Sequence, residues 1–237
     1  MTRGMKRSLT IFIAIITCGL LPVSVNAQLQ DQRRNFAVGI NGGVNLSTVS
    51  FQPSIKQGKL VGPEFGVTAR YISEKYFKMI CGIQIEANFS QRGWKEVIED
   101  GSGDTYHRTM NYVEVPLLAH LAFGKDQGHG VRFVLNLGPQ IGFLISEKEH
   151  KSDPWHPENR PQGTMEQYGK YADRKFDYGI IGGGGLEFRT GIGNFILEAR
   201  YYYGLSDFYN NSKKNYFGRS GHSYIGGRLT YLFDIRK

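Results

Sequence analysis

Residues 176–205 read FDYGIIGGGGLEFRTGIGNFILEARYYYGL and contain two alternating segments. In 176–188 and in 195–205, apolar and aromatic residues fall mainly on one parity, and charges and glycines fall on the other. Side chains alternate between the two faces of a strand, so each segment predicts a strand with one apolar and one polar face. The short link 189–194 joins the two segments. Together they predict a β-hairpin.

The same alternation recurs along most of the chain. It predicts eight strands, at about 35–47, 64–72, 78–92, 106–123, 131–145, 176–188, 195–205 and 223–233. Pro116 predicts a bulge or irregularity in the fourth strand, because proline cannot donate to a ladder. The links alternate between long and short, which places all short turns at one end. We therefore expect an all-β, eight-stranded, antiparallel up-and-down barrel that spans a membrane, with short periplasmic turns and longer extracellular loops.

The first residues predict export from the cytoplasm. Arg3, Lys6 and Arg7 precede an apolar run at 9–16, and Val25, Asn26 and Ala27 form a small-residue cleavage site. The expected organisation is a signal peptide at 1–27, a polar tail at 28–34 and a barrel domain at 35–237. An alternative is lipidation of Cys18, although Thr17 is an unusual residue before a lipidated cysteine. Cleavage near Ala27 leaves Cys81 without a partner for an internal disulfide.

The polar parity carries both glycines and charges, which favours a narrow polar lumen. In a soluble barrel of this size the polar face would meet water and would have no reason to be glycine-rich. Inside a closed lumen, acids and bases must neutralise one another, because an unpaired buried charge is very costly. The predicted lumen network consists of Glu64, Arg70, Glu86, Arg92, Glu114, Arg132, Glu187, Arg189, Glu198, Arg200 and Arg228.

Aromatic residues gather at the strand ends next to the short turns. They predict a girdle at one membrane interface, made of Phe36, Tyr71, Phe123, Phe133, Phe188, Phe195 and Phe233. An alternative is that aromatics simply favour strands everywhere. No stretch is apolar for the roughly 18 residues that a spanning helix needs. A closed barrel is the other structure that satisfies every backbone group in lipid.

Candidate sites for chemistry are few. The formal charge of +8 includes three leader residues, and acids and bases alternate along the strands, which argues against nucleic-acid binding. His120 has the lumen parity and could meet Glu114, as part of a charge network rather than a catalytic pair. The loop residues His150, Asp153, His156 and Glu158 match no tight metal motif, so a solvated extracellular loop is expected there. We expect no catalytic residues, no metal and no cofactor.

Four segments resemble the PorT-like outer-membrane β-barrel family of Bacteroidota. They are GGVNLS at 42–47, NFSQRG at 88–93, YVEVPLL at 112–118 and GPQIG at 138–142. The resemblance implies an eight-stranded barrel in a Gram-negative outer membrane and makes Pro116 a family feature. The last strand resembles an assembly-machine signal, carried by Gly226, Leu229, Tyr231 and Phe233.

The expected role is a non-enzymatic barrel that serves binding, anchoring or envelope integrity through its extracellular loops. The implied partners are outer-membrane lipid and lipopolysaccharide, the outer-membrane assembly machinery, and secretion-system or periplasmic proteins. Two alternatives stay open: a component of a PorT-type protein-secretion apparatus, and a lipid-modifying enzyme or protease. A conducting pore is disfavoured, because paired Arg and Glu side chains would fill so narrow a lumen.

Overall fold

The computed structural model describes residues 32–76, 79–124, 129–158 and 160–236. This part of the chain forms nine strands and one short helix, in the order β1 (Gln32–Gln52), β2 (Gln57–Gly58), β3 (Leu60–Tyr76), β4 (Met79–Glu96), β5 (Tyr106–Gly124), β6 (Gly130–Lys151), α1 (Gln162–Met165), β7 (Phe176–Thr190), β8 (Gly193–Gly204) and β9 (Arg219–Arg236). Among these residues, no helix is long and apolar enough to cross a membrane. The predicted signal peptide, its cleavage site and Cys18 lie outside the described residues.

Eight of the strands close into a ring. Each of β1, β3, β4, β5, β6, β7, β8 and β9 pairs antiparallel with the next, and β9 pairs with β1. The short β2 only extends the pairing of β4 at its end. Every ring strand therefore has two hydrogen-bonded neighbours, and the ring has no open edge. The predicted eight-stranded up-and-down barrel is confirmed.

Several strands are longer at the long-loop end than the alternation predicts. β1 continues to Gln52, β4 to Glu96 and β6 to Lys151, and β9 already begins at Arg219. β1 also begins at Gln32, inside the predicted polar tail. The alternation does not predict these extensions, because their outward residues are polar. The apolar alternation therefore stops while the backbone ladder continues.

Pro116 does not shift the register of β5. The pairing with β4 runs from Ile85↔Leu117 to Asn88↔Glu114 in one register and omits only the pairs between them. On the other side, Pro116 lies opposite Gln140 without a shift. The predicted bulge or irregularity therefore takes the form of an irregularity, a local gap in the β4–β5 pairing, and not of a bulge. The register shift in the β5–β6 pair lies between Asn111 and Tyr112.

The outer surface of the ring is an apolar belt. Each ring strand contributes an outward residue that is between 49% and 64% exposed, such as Ile40, Val67, Ile85, Leu117, Leu137, Ile180, Leu197 and Leu229. On β1 the belt runs from Phe36 to Leu46, which spans roughly 25 Å at about 3.3 Å per residue and the usual strand tilt. That height matches the apolar band of membrane barrels.

Glycines on the inward parity make room for arginines on the neighbouring strand. Gly183 lies opposite Arg200, and a Cβ at Gly183 would meet the Ala199 carbonyl oxygen and the Arg200 side chain. Gly43 lies opposite Arg228, and a Cβ there would meet the Arg228 backbone and side chain. A narrow lumen can hold these long side chains only where their neighbours are small.

The direction of the apolar face can be tested on β1. Replacing the outward Ile40 with arginine places a charge near the middle of the belt, which costs about 2–4 kcal/mol of unfolding free energy in a bilayer. Ser50→Arg serves as the control, because Ser50 is exposed on the same strand beyond the belt and should cost about 0–1 kcal/mol. Denaturant unfolding in phospholipid vesicles measures both variants. Equal costs would contradict a lipid-facing belt.

Candidate functional site: the filled lumen and the loop cap

Glu86 is the centre of the charge network in the lumen. Its carboxylate accepts hydrogen bonds from Arg200 at 2.9 and 3.1 Å, and from Arg228 at 2.8 Å. Gln84 and Asn88, two residues away on either side along β4, donate to the same carboxylate at 2.6 and 2.8 Å. Four polar side chains thus surround one acid, which compensates its removal from water.

The two arginines carry the network to further acids. Arg228 contacts Glu64 at 3.2 Å, and Arg200 contacts Glu198 at 2.8 Å. Glu198 also accepts a hydrogen bond from Asn136 at 2.7 Å. Five strands are therefore joined through the middle of the lumen.

A second group surrounds Arg92, nearer the long-loop end. Its guanidinium contacts Glu114 and Asp177, with 2.6 Å to the Asp177 carboxylate. Three tyrosine rings lie around this cation, with centroids 4.5, 4.7 and 5.2 Å away, from Tyr112, Tyr202 and Tyr224. Sequence reading did not include Asp177 or the tyrosines in the network. Their positions on the inward parity of the strands could have indicated that these residues face the lumen.

A third group lies nearer the short turns. Arg70 contacts Glu187 at 2.8 Å, and Arg132 lies 3.8 Å from the same carboxylate. His120 contacts Asn136 at 2.8 Å, so the expected meeting with Glu114 does not occur. The other predicted network residues are buried, whereas Arg189 is half-buried and lines a polar recess at the short-turn mouth with Asn35, Asn194 and Asp234.

A buried apolar layer crosses the lumen close to the short turns. It comprises Ala37, Ile72, Ile80, Ala122, Val134, Ile196 and Leu232. These residues have the inward parity that elsewhere carries polar side chains. The layer narrows the water-accessible path at this end.

An aromatic plug closes the long-loop end. Phe51, Trp94, Tyr106, Met110 and Tyr112 project from the strands, and Phe208, Tyr209 and Phe217 enter from the loop between β8 and β9. Ring centroids lie 5.1 Å apart between Phe51 and Trp94, and 5.7 Å apart between Trp94 and Phe208. Nothing in the sequence alternation predicts this plug, because the loop residues reach it only through the tertiary fold.

The long loop 152–175 folds down onto the plug. Gln167 is fully buried and accepts a hydrogen bond from the Trp94 indole N–H at 2.8 Å, while its own amide donates to Glu96 at 2.9 Å. The Tyr168 hydroxyl also contacts Glu96, at 2.9 and 3.0 Å. Most described residues of this loop are exposed or half-buried as expected, whereas Arg160 and Gln167 are buried. Together, the plug and loop 152–175 form the loop cap.

Arg160 anchors the first half of this loop. Its guanidinium donates to Asp104 at 2.5 Å and stacks on Trp155 at 4.0 Å. Asp104 also accepts from the backbone N–H of His156 at 2.8 Å and from the Ser152 hydroxyl at 3.2 Å. Burial alone would raise the pKa of Asp104, but these donors hold it below the ordinary carboxyl range. Asp104 therefore stays charged at neutral pH.

The loop residues considered for metal binding do not converge. His150 stacks on His107 with ring centroids 4.4 Å apart, whereas His156 lies 3.5 Å from Asp104. The structurally described residues contain no cluster of three or more potential metal ligands.

Ser152, Asp104 and His156 do meet on the rim, but in the wrong order for nucleophilic catalysis. In a catalytic triad the histidine lies between the serine and the acid. Here Asp104 lies in the middle and accepts from Ser152, so the serine proton points at a carboxylate that Arg160 already holds.

The predicted girdle residues lie on the outer face, near the short turns. Phe36 is opposite Tyr71, Phe123 opposite Phe133, and Phe188 opposite Phe195. Phe233 is 55% exposed on β9. These positions suit the predicted girdle, whose contact with the membrane interface stays a prediction.

The residues of the predicted assembly signal all lie on β9. Leu229 and Phe233 face outward, and the Tyr231 hydroxyl donates to the Ile192 carbonyl at 2.6 Å. Their role in barrel assembly likewise stays a prediction.

The central acid can be tested by Glu86→Gln. This change removes the negative charge from two buried arginines and should lower the unfolding free energy by about 3–5 kcal/mol. The control is Glu99→Gln, which breaks a pair with Lys56 whose side chains are 63% and 64% exposed, and should change it by less than about 0.5 kcal/mol. Denaturant unfolding in detergent or vesicles measures both. No difference between them would show that the network contributes little.

Three solved outer-membrane structures resemble this chain. OprG from Pseudomonas aeruginosa is 11% identical with a TM-score of 0.48, and the match covers 85% of this chain and 97% of OprG. Ail from Yersinia pestis is 15% identical with a TM-score of 0.36, covering 85% and 100%. Neisserial surface protein A is 11% identical with a TM-score of 0.36, covering 84% and 97%.

No curated protein matches the chain significantly. The family described as outer membrane protein beta-barrel domain matches residues 26–210, which is most of the chain. The ring, the outward apolar belt and the polar lumen are the features that such a domain requires. The protein therefore belongs to the outer membrane protein beta-barrel domain family and is located in the outer membrane.

Proposed function

We propose that the protein is a non-conducting, non-enzymatic barrel that presents its loop cap to the cell exterior as a binding or anchoring surface. The observation that carries this proposal is the burial of Gln167 between Trp94 and Glu96. A loop held by buried polar contacts has a defined surface, which lowers the ordering cost of binding a partner. A flexible loop would not offer this advantage.

The filled lumen supports the non-conducting part of the proposal. A permeating ion would have to pass the aromatic plug, the Arg92 group, the Glu86 group and the buried apolar layer. Displacing paired buried charges is costly. The barrel therefore serves as a scaffold that holds the loop cap above the membrane.

Planar-bilayer recording tests the closed lumen directly. We expect the refolded wild-type protein to give no stable conductance steps under conditions in which a general porin gives them. Circular dichroism and a boiled-versus-unboiled gel shift would establish that the recorded protein is folded. Reproducible steps that grow linearly with salt would overturn the non-conducting assignment.

The fixed loop cap can be tested at Asp104. Asp104→Asn weakens the charge-assisted contact with Arg160, so cleavage of loop 152–175 by trypsin after the half-buried Lys170 should become several-fold faster. Asp153→Asn is the matched control, because Asp153 is exposed on the same loop. Mass spectrometry of the fragments identifies the cut. Equal rates in both variants would mean that this contact does not hold the loop.

The non-enzymatic part rests on the order of Ser152, Asp104 and His156. Without a histidine beside its hydroxyl, Ser152 lacks a general base. We expect no labelling by a fluorophosphonate probe in folded protein, with a serine hydrolase as the positive control. Labelling at Ser152 that disappears in His156→Ala would favour the enzyme alternative.

The resemblance to the PorT-like family supports a second proposal, a role in a protein-secretion apparatus. The polar recess at the short-turn mouth, with Arg189 and Asp234, would face periplasmic partners. Crosslinking in cells followed by purification in detergent tests it. Recovery of a defined periplasmic or inner-membrane component would favour this role, and recovery of the barrel alone would count against it.

A further inference from the structure

The barrel wall extends beyond the apolar belt at two places at the long-loop end, one formed by β1 and β9 and the other by β4, β5 and β6. β4, β5 and β6 continue beyond the apolar belt through residues 91–96, 106–111 and 146–151, whereas β7 begins only at Phe176 and β8 ends at Gly204. We call these three extensions the raised wall. Its outer face begins directly above Val113 and Ile145, the last outward apolar residues of β5 and β6. It therefore stands at the level of the lipid headgroups and sugars around the barrel.

A bulge in β6 decides which charged residues of the raised wall face the lumen and which face outward. Tyr112 pairs with Leu144, but Asn111 pairs with Ser146, so Ile145 is an extra residue on β6. The parity of β6 changes at this point. As a result Glu147 and Glu149 turn inward, where each lies 3.2 Å from Arg108. Lys148 and His150 turn outward.

The outer face of the raised wall consequently carries bases without acids. Lys95, His107 and His150 form one cross-strand row, and Thr109 and Lys148 form the next. Both lysines are exposed. Glu99, an exposed acid beyond the end of β4, is paired with Lys56 at 2.5 Å. Within the described residues, no carboxylate shares this outward face of the wall.

Hydrogen-bonding groups lie below the bases on the same face. Gln91 donates to Asn111 at 3.0 Å, Asn111 donates to Ser146 at 2.9 Å, and Thr109 lies 3.3 Å from His150. From Asn111 to His107 the face rises by roughly 10 Å at the usual rise and tilt of a barrel strand. A ligand that fits it must be anionic, rich in hydroxyl groups, and positioned beside the barrel rather than on top of it.

We propose that the outer face of the raised wall binds lipopolysaccharide through its phosphate groups. Lysine binds phosphate as a compact point charge, and amide and hydroxyl side chains suit sugar hydroxyls. The acyl chains of the same molecule would lie against Val113, Phe143 and Ile145. This inference needs only the outer-membrane location, so its failure would leave the proposed function of the loop cap unaffected.

The test compares two charge reversals of equal size. Lys95→Glu with Lys148→Glu alters the raised wall, and Lys213→Glu with Lys214→Glu alters the exposed loop between β8 and β9. Each variant is refolded, shown to have the gel shift of a folded barrel, and titrated with purified lipopolysaccharide in detergent. Binding is followed by native mass spectrometry.

The wall variant should bind phosphorylated lipopolysaccharide about tenfold or more weakly than wild type, at about 1 kcal/mol for each basic residue near an anionic surface. The loop variant should bind as wild type does, and dephosphorylated lipopolysaccharide should not distinguish the proteins. Unchanged binding by the wall variant would overturn the proposal. An equal loss in both variants would also overturn it, because it would reflect net charge alone. If the wall variant does not fold, Lys95→Gln with Lys148→Gln replaces it, with the same predicted direction.

Discussion

The pairing of β9 with β1 is the constraint on which the rest of the structure depends. It converts a meander of hairpins into a ring without edges, so the backbone polar groups of the ring strands can be satisfied inside lipid. Closure at eight strands also sets a narrow interior. Side chains on the inward parity are then forced together, whatever their charge. The apolar parity is left facing the membrane.

This crowding is relieved because large inward side chains lie beside glycines and acidic side chains lie beside basic ones. Gly183 beside Arg200 and Gly43 beside Arg228 supply space, and Glu86 supplies charge to both arginines. Such a network is a weak source of net stability, because desolvation offsets most of the attraction. It does make the register of the strands specific, since a slip of one residue would place these charges in lipid. Polar contacts across the lumen thus support the same pairing that closes the ring.

The two ends of the barrel differ because their connections differ. Short links leave the periplasmic mouth open to a polar recess, whereas the long extracellular loops return into the lumen and complete the plug. The raised wall adds a lateral surface to this end. The protein therefore has a filled interior and two chemically distinct outer surfaces, a fixed cap above the membrane and a basic face beside it.

The period-two alternation of the sequence determined the ring strands, the lipid-facing parity and most of the buried charges, because both faces of a strand are read from neighbouring residues alone. It did not reveal the extensions, where the outward face is polar, or the aromatic plug, which Phe208 and Trp94 build from distant segments. It assigned neither Lys148 nor Glu149 to a face, because only the bulge at Ile145 decides which of them faces outward. Local periodicity reports which face a residue shares with its neighbours. Loop insertion and bulges depend on contacts between residues far apart in the chain, and only the tertiary structure decides them.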